Sequence, residues 1–171
     1  MVLVSIAVQY IALPFNVVSV SFSQVFFKKI SDIHDRVNLL RVYKTFFLRL
    51  TGVGVIGIII VFLVPDKLIV LVLGDHWSGL AAFMRIAILW QTVAFISSSL
   101  SFIYTRLLLQ RTMVFYAILQ LLIVYATLKI GNQYFDSSLE TFGLFTAGQM
   151  LYYLFAIVSA FYFIKKSKVL N

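Results

Sequence analysis

Six side chains in this sequence could meet a ligand: Arg85, Gln91, Thr92, Ser99, Gln120 and Lys129. Each lies in, or at the end of, a long apolar run. A polar or charged group there is costly unless water, protein or a ligand meets it. At the helical rotation of about 100° per residue, Arg85, Thr92 and Ser99 fall on one stripe, with Gln91 and Ser98 on the next. The opposite arc carries Ile86, Leu89, Trp90, Val93, Ile96 and Leu100. A membrane helix with one polar side must turn that side toward protein or a water-filled cavity. Gln9, Asn16 and Gln149 add further amides inside apolar runs. Arginine binds phosphate through a two-pronged fork. A wet, cationic, amide-lined cavity beside an apolar path would therefore suit a phosphorylated, lipid-linked substrate. A plainer reading stands beside this one. Arg85 and Lys129 lie near the outer ends of their runs, where long side chains reach for headgroups, and membrane glutamines commonly hydrogen-bond between helices.

The sequence carries no catalytic constellation, and no enzyme activity is expected from it. His34 and His76 are far apart and neither has a second ligand at metal spacing. No metal or other cofactor is implied. No carboxylate lies deep in an apolar run, so a proton or sodium relay is not visible. There is no cysteine, which excludes disulfides and thiolate chemistry. GVGVIG, residues 52–57, spells the dinucleotide-binding pattern but runs straight into IIIVFLV. That motif needs a strand before it and a water-exposed turn, so these glycines read as points of close helix approach.

The elements that must position these groups are membrane helices. The chain is 62% hydrophobic and 12% charged, with a mean hydropathy of +1.02. A soluble domain is about 45–50% apolar and about 25% charged. The expected fold is an all-α integral membrane protein of about five transmembrane helices in a single domain, residues 1–171. The spans are read at about 1–27, 46–64, 80–104, 113–130 and 142–164, with a basic interfacial helix at 28–45. Ser31 or Asp32 is expected to cap that helix, and Ile33, Val37, Leu40 and Phe47 to form its apolar side. Pro14 predicts a kink in the first span. The short run at 68–73 is too short to cross and reads as a half-buried or re-entrant piece.

Charge orients the spans. Six of the fourteen basic residues lie in the 28–49 stretch, and Arg106, Arg111 and the KKSKVLN tail fall on the same side of a five-span chain. Most of the acids (Asp66, Asp75, Asp136, Glu140) fall on the other. The positive-inside rule puts the basic side in the cytoplasm, the first residue outside and the tail inside. The net charge of +8 is thereby explained by sidedness, without a nucleic-acid partner. An outside start without a signal leads to the expectation that an upstream part of a longer transporter belongs with this piece.

The string SFSQVFFKKISDIHD, the later VLGDHWSGLAAFMRIAILWQTVAFISSSLS and the serine cluster Ser97, Ser98, Ser99 and Ser101 carry a resemblance. Over nearly its whole length the chain resembles the C-terminal half of bacterial O-antigen (Wzx-type) polysaccharide flippases. These belong to the multidrug/oligosaccharidyl-lipid/polysaccharide exporter superfamily. The resemblance implies most of one lobe of a twelve-helix alternating-access transporter in the bacterial inner membrane. It implies translocation of an undecaprenyl-pyrophosphate-linked oligosaccharide for lipopolysaccharide O-antigen, capsule or exopolysaccharide synthesis. The implied partners are the lipid bilayer, that lipid-linked oligosaccharide and an N-terminal lobe. The alternatives are a membrane enzyme of cell-envelope polysaccharide assembly, or an inactive truncated fragment.

Overall fold

The computed structural model describes residues 2–77 and 79–167; the end of the basic tail, with Lys168, lies outside them. Among the described residues are α1 (Val2–Ser31), α2 (Arg36–Leu63), α3 (Asp66–Leu73), a short turn at Asp75–Trp77, α4 (Leu80–Leu100), α5 (Phe102–Arg106), α6 (Gln110–Tyr134) and α7 (Ser138–Lys166), with no strand. Five helices are long and apolar enough to cross a membrane: Val4–Ser31, Arg36–Leu63, Leu80–Arg106, Gln110–Tyr134 and Ser138–Lys166. The chain is thus an all-α, multi-pass membrane protein by length and composition of its helices.

The basic stretch folds differently from the separate interfacial helix expected at 28–45. α1 runs on through Lys28 and Lys29 to Ser31, and α2 continues unbroken from Arg36 to Leu63. The cap is neither Ser31 nor Asp32. The Ser31 hydroxyl donates to the Phe27 carbonyl at 2.8 Å, while the Asp35 carboxylate accepts the Asn38 N–H at 3.0 Å and starts α2. No glycine or proline interrupts residues 36–51, so the helix has no reason to stop at the interface. Its 28 residues span about 42 Å, more than the roughly 30 Å of hydrocarbon, so one end projects beyond it. The buried side is Leu39, Tyr43, Phe46 and Leu50, while the expected Val37 faces outward. Several faces of this segment are apolar, and aromatic contacts decide among them: Tyr43 packs edge-on against Phe26 of α1 and Phe161 of α7.

α2 ends at Leu63, and Val64 adopts extended backbone ahead of Pro65. α3 is the expected short apolar piece. Gly79 then takes a left-handed conformation (φ +91°) that suits glycine, at the start of α4.

α4 is the centre. It packs against α1, α2 and α7, and α6 packs on the outside of α7. Of its most apolar window 56% of residues are buried, against 6% for α6. Small side chains permit the approach. Gly54 of α2 fits against Thr92 of α4, where an added Cβ would lie 2.5 Å from the threonine methyl. The α6–α7 pair repeats the device twice, Gly131 against Thr141 and Gly148 against Thr127.

Two arginines close the basic end. Arg106 donates to the carbonyls of Ile30 (3.2 Å), in the last turn of α1, and Ile33 (3.0 Å), just beyond it. Arg36 donates to those of Lys165 (3.2 Å) and Ser167 (3.4 Å) at the end of α7. Both donate to carbonyls at or just past a helix end and place positive charge at the negative helix pole.

These contacts set the outcome of four substitutions. Gly54→Leu will destabilise the protein by about 2 kcal/mol or more through overpacking against Thr92, read as a lower midpoint of thermal unfolding in detergent. Gly52→Ala, mid-helix with open space around it, will leave that midpoint unchanged or slightly raised. Arg106→Gln will cost about 1 kcal/mol, and Arg106→Lys will recover only part of it because the fork to two carbonyls is lost.

Candidate functional site

A polar cleft of about 310 Å³ opens between α1, α4 and α7. Asn16 and Ser19 line it from α1, Trp90, Gln91 and Ser98 from α4, and Tyr153 from α7. Asn16, Gln91 and Tyr153 stand near the middle of the membrane-length helices that carry them. The cleft therefore lies at mid-depth of the bundle. No Asp, Glu, Lys, Arg or His is among its lining residues.

The local sequence explains the convergence. On α1, Ala12, Asn16, Ser19 and Ser23 recur at helical spacing and turn one small, polar face toward α4. Ser19 shares hydrogen bonds with Ser99 (2.9 Å) and Ser98 (3.2 Å), stitching the two helices at the cleft floor. Ser23 donates to the Ser19 carbonyl at 2.7 Å, and Ser99 to that of Phe95 at 2.7 Å. From α6, the Gln120 amide donates to the Tyr153 hydroxyl at 2.9 Å and to Gln149 Oε1 at 3.3 Å. A polar relay thus runs from the cleft wall outward to α6. The amide nitrogen of Gln149, a residue 1% exposed, and the indole N–H of Trp90 are buried without a hydrogen-bond partner among the described residues.

The six residues singled out in the sequence separate. Gln91 lines the cleft directly. Gln120 reaches it through Tyr153 and Ser99 through Ser19. Thr92 turns to α2, where its methyl meets Gly54 and its hydroxyl has no partner among the described residues. Arg85 forms an ion pair with Asp66 and donates to the Val64 carbonyl at 3.4 Å, tying the α2–α3 corner to α4. Lys129 stands on the exposed side of α6, its ammonium 5.8 Å from the Tyr125 ring centre. The stripe of Arg85, Thr92 and Ser99 is therefore shared among three neighbours instead of facing one cavity. Of the other amides, Asn16 enters the cleft and Gln9 is exposed on α1.

Tyr153 and Trp90 escaped the sequence reading as site residues. Each sits in an aromatic-rich stretch where one ring looks like another, and only the approach of α7 to α4 selects them. Uncharged amides, hydroxyls and ring faces suit a neutral, hydroxyl-rich ligand. Among the described residues no group of three His, Asp or Glu side chains could hold a metal ion.

No family model matches this chain, and no curated protein or solved structure matches it either.

The cysteine-free sequence makes accessibility directly measurable. Single cysteines at Asn16 and Ser98, both exposed, will react with a charged, water-soluble thiol reagent in membranes. Cysteines at Thr92 and Ser99, both buried, will stay unreacted. Val17→Cys, 70% exposed on the apolar side of α1, will also stay unreacted because it meets hydrocarbon.

Proposed function

We propose that this chain is part of a flippase that moves a lipid-linked oligosaccharide across the bacterial inner membrane, with the polar cleft receiving the sugar head. The observation that carries the reading is an uncharged amide- and hydroxyl-lined cleft at mid-depth of a membrane bundle. A sugar head crossing the bilayer must exchange its hydration for hydrogen bonds at that depth. Asn16, Gln91 and Tyr153 offer donors and acceptors, and the faces of Trp90 and Phe15 offer apolar surface for a sugar ring. The lining supports recognition of the neutral sugar. A pyrophosphate would find its cations elsewhere, since Arg85 is paired with Asp66 and Lys129 stands outside the cleft. The resemblance to O-antigen flippases supports the undecaprenyl-pyrophosphate carrier and a role in O-antigen, capsule or exopolysaccharide synthesis.

Two further features accord with this reading. Gln9 and Asn16 are exposed on one side of α1. In a bilayer such a face calls for water or more protein, which suits a second lobe closing over the cleft. The cations at the ends of α1, α2 and α7 suit a cytoplasmic position for that end, which makes the opposite end periplasmic. Lys28, Lys29, Arg41 and Lys44 are exposed there and suit anionic headgroups.

The test is translocation in proteoliposomes of a fluorescent undecaprenyl-pyrophosphate oligosaccharide, read by a membrane-impermeant quencher. Protein-dependent loss of protected signal is expected. Gln91→Leu will slow it roughly tenfold, the loss expected for one or two hydrogen bonds to the head. Translocation no faster than in empty vesicles would overturn the reading.

A further inference from the structure

On the other side of the Phe15 ring from the polar cleft lies a second volume. It is an apolar groove of about 400 Å³ between α1, α2 and α4. Pro14 and Val18 of α1, Ile60 and Gly57 of α2, and Ile88 of α4 form its walls, and the Tyr10 hydroxyl is the only polar side-chain group on it. Tyr10, Ile56 and Ile60 are 54%, 59% and 57% exposed at its rim, so the groove opens on the outside of the bundle. All three helices have membrane length here. A mouth at that depth, left uncovered by protein, meets hydrocarbon in a bilayer.

Phe15 lines both volumes. Its ring is 8% exposed and stacks on Phe95 with centres 4.9 Å apart and planes 27° apart. Across the groove it reaches Gly57, where an added Cβ would lie 3.0 Å from Phe15 Cζ. The missing side chain at residue 57 makes the notch that accepts the ring edge. One ring therefore separates a space fit for a hydrocarbon chain from a space fit for a sugar.

We propose that the groove seats the hydrocarbon chain of the lipid whose polar head occupies the Gln91 cleft, with Phe15 as the partition that sets how the lipid straddles the two. This rests on the reading of the cleft as a headgroup site. The choice of a lipid chain over a protein helix follows from the groove's continuity with the polar cleft through a single side chain and from its mouth at membrane depth. The chain lies along Pro14, Gly57 and Ile60, its junction with the head passes the Phe15 ring, and the head meets Asn16 and Gln91. Rotation of the Phe15 side chain away from Phe95 joins the two volumes.

The test uses the full chain in phosphatidylcholine vesicles. The probes are a polyprenyl-pyrophosphate disaccharide with a diazirine on its chain and the matching polyprenol without a head. Crosslinked peptides are read by mass spectrometry. The headed probe is expected to label residues 10–18 and 56–61 at least roughly tenfold more than the headless one, the preference a few head hydrogen bonds supply. Gln91→Leu will remove that preference. Ile56→Trp, which narrows the mouth from an exposed position, will reduce labelling without altering the fold. Phe15→Ala will let chain labelling spread to residues 90–98. Equal labelling by both probes overturns the proposal and leaves the groove as a site for bulk lipid. Labelling confined to other helices overturns it as well. If vesicle translocation fails while head-dependent groove labelling persists, the seat stands and the transport reading falls. If translocation succeeds without groove labelling, the seat falls alone.

Discussion

Hydrocarbon offers no hydrogen bonds, so every polar group on a membrane helix must find a partner inside the protein or meet water. α4 carries Arg85, Gln91, Thr92 and three consecutive serines at 97–99, and its central position gives most of them a neighbouring helix to meet. Ser99 is satisfied by Ser19 and by its own backbone, Gln91 faces the cleft, and Arg85 pairs with Asp66 at the end of the helix. Thr92 contributes its methyl to the Gly54 contact and leaves its hydroxyl without a partner among the described residues. α6 shows the opposite case. Gln120 turns to α7 and Thr127 to its own backbone, Tyr116 and Gly131 are buried, and most of the remaining surface of α6 is exposed.

Close packing comes from two kinds of residue. Glycine against threonine brings α2 to α4 and α6 to α7. Aromatic rings fill other seams: Phe26, Tyr43, Phe46 and Phe161 meet near the basic end, and Phe83, Phe142 and Phe145 meet near the other. Since apolar side chains gain little by leaving lipid for protein, shape and polar pairing must supply the preference for one arrangement. The hydroxyls of Tyr43 and Tyr104 add to it by donating to the Ile157 and Ala156 carbonyls of α7, at 3.4 Å and 2.6 Å. The arginine forks at the basic end close the ends of α1 and α7 in the same way.

The cleft and the apolar groove follow from the same constraint. Where α1, α4 and α7 approach with amides and hydroxyls between them, packing is incomplete and a polar space remains. Where α1 meets α2 across Pro14 and Gly57, small and cyclic residues leave an apolar one. Phe15 belongs to both because α1 carries a polar and an apolar side, and the ring sits at their border.

Much of this architecture is legible in the sequence. Runs of apolar residues long enough to span hydrocarbon set the number of membrane-length helices, since few soluble elements have that composition. Serines, amides and Arg85 at helical spacing mark the helix at 80–104 as one that cannot face lipid all round. Of the glycines in the 52–57 run, Gly54 and Gly57 do mark close approach, whereas Gly52 faces open space. The tertiary structure alone decides which neighbour each polar group meets, because lipid-facing and protein-facing positions are both apolar and periodicity cannot tell them apart. Val37 and Leu39 are equally apolar, yet only Leu39 is buried. The continuation of the basic stretch into one long helix, the pairing of Arg85 with Asp66, and the meeting of Asn16, Gln91 and Tyr153 depend on contacts between distant segments. Such contacts are set by side-chain shape, which a one-dimensional pattern does not carry.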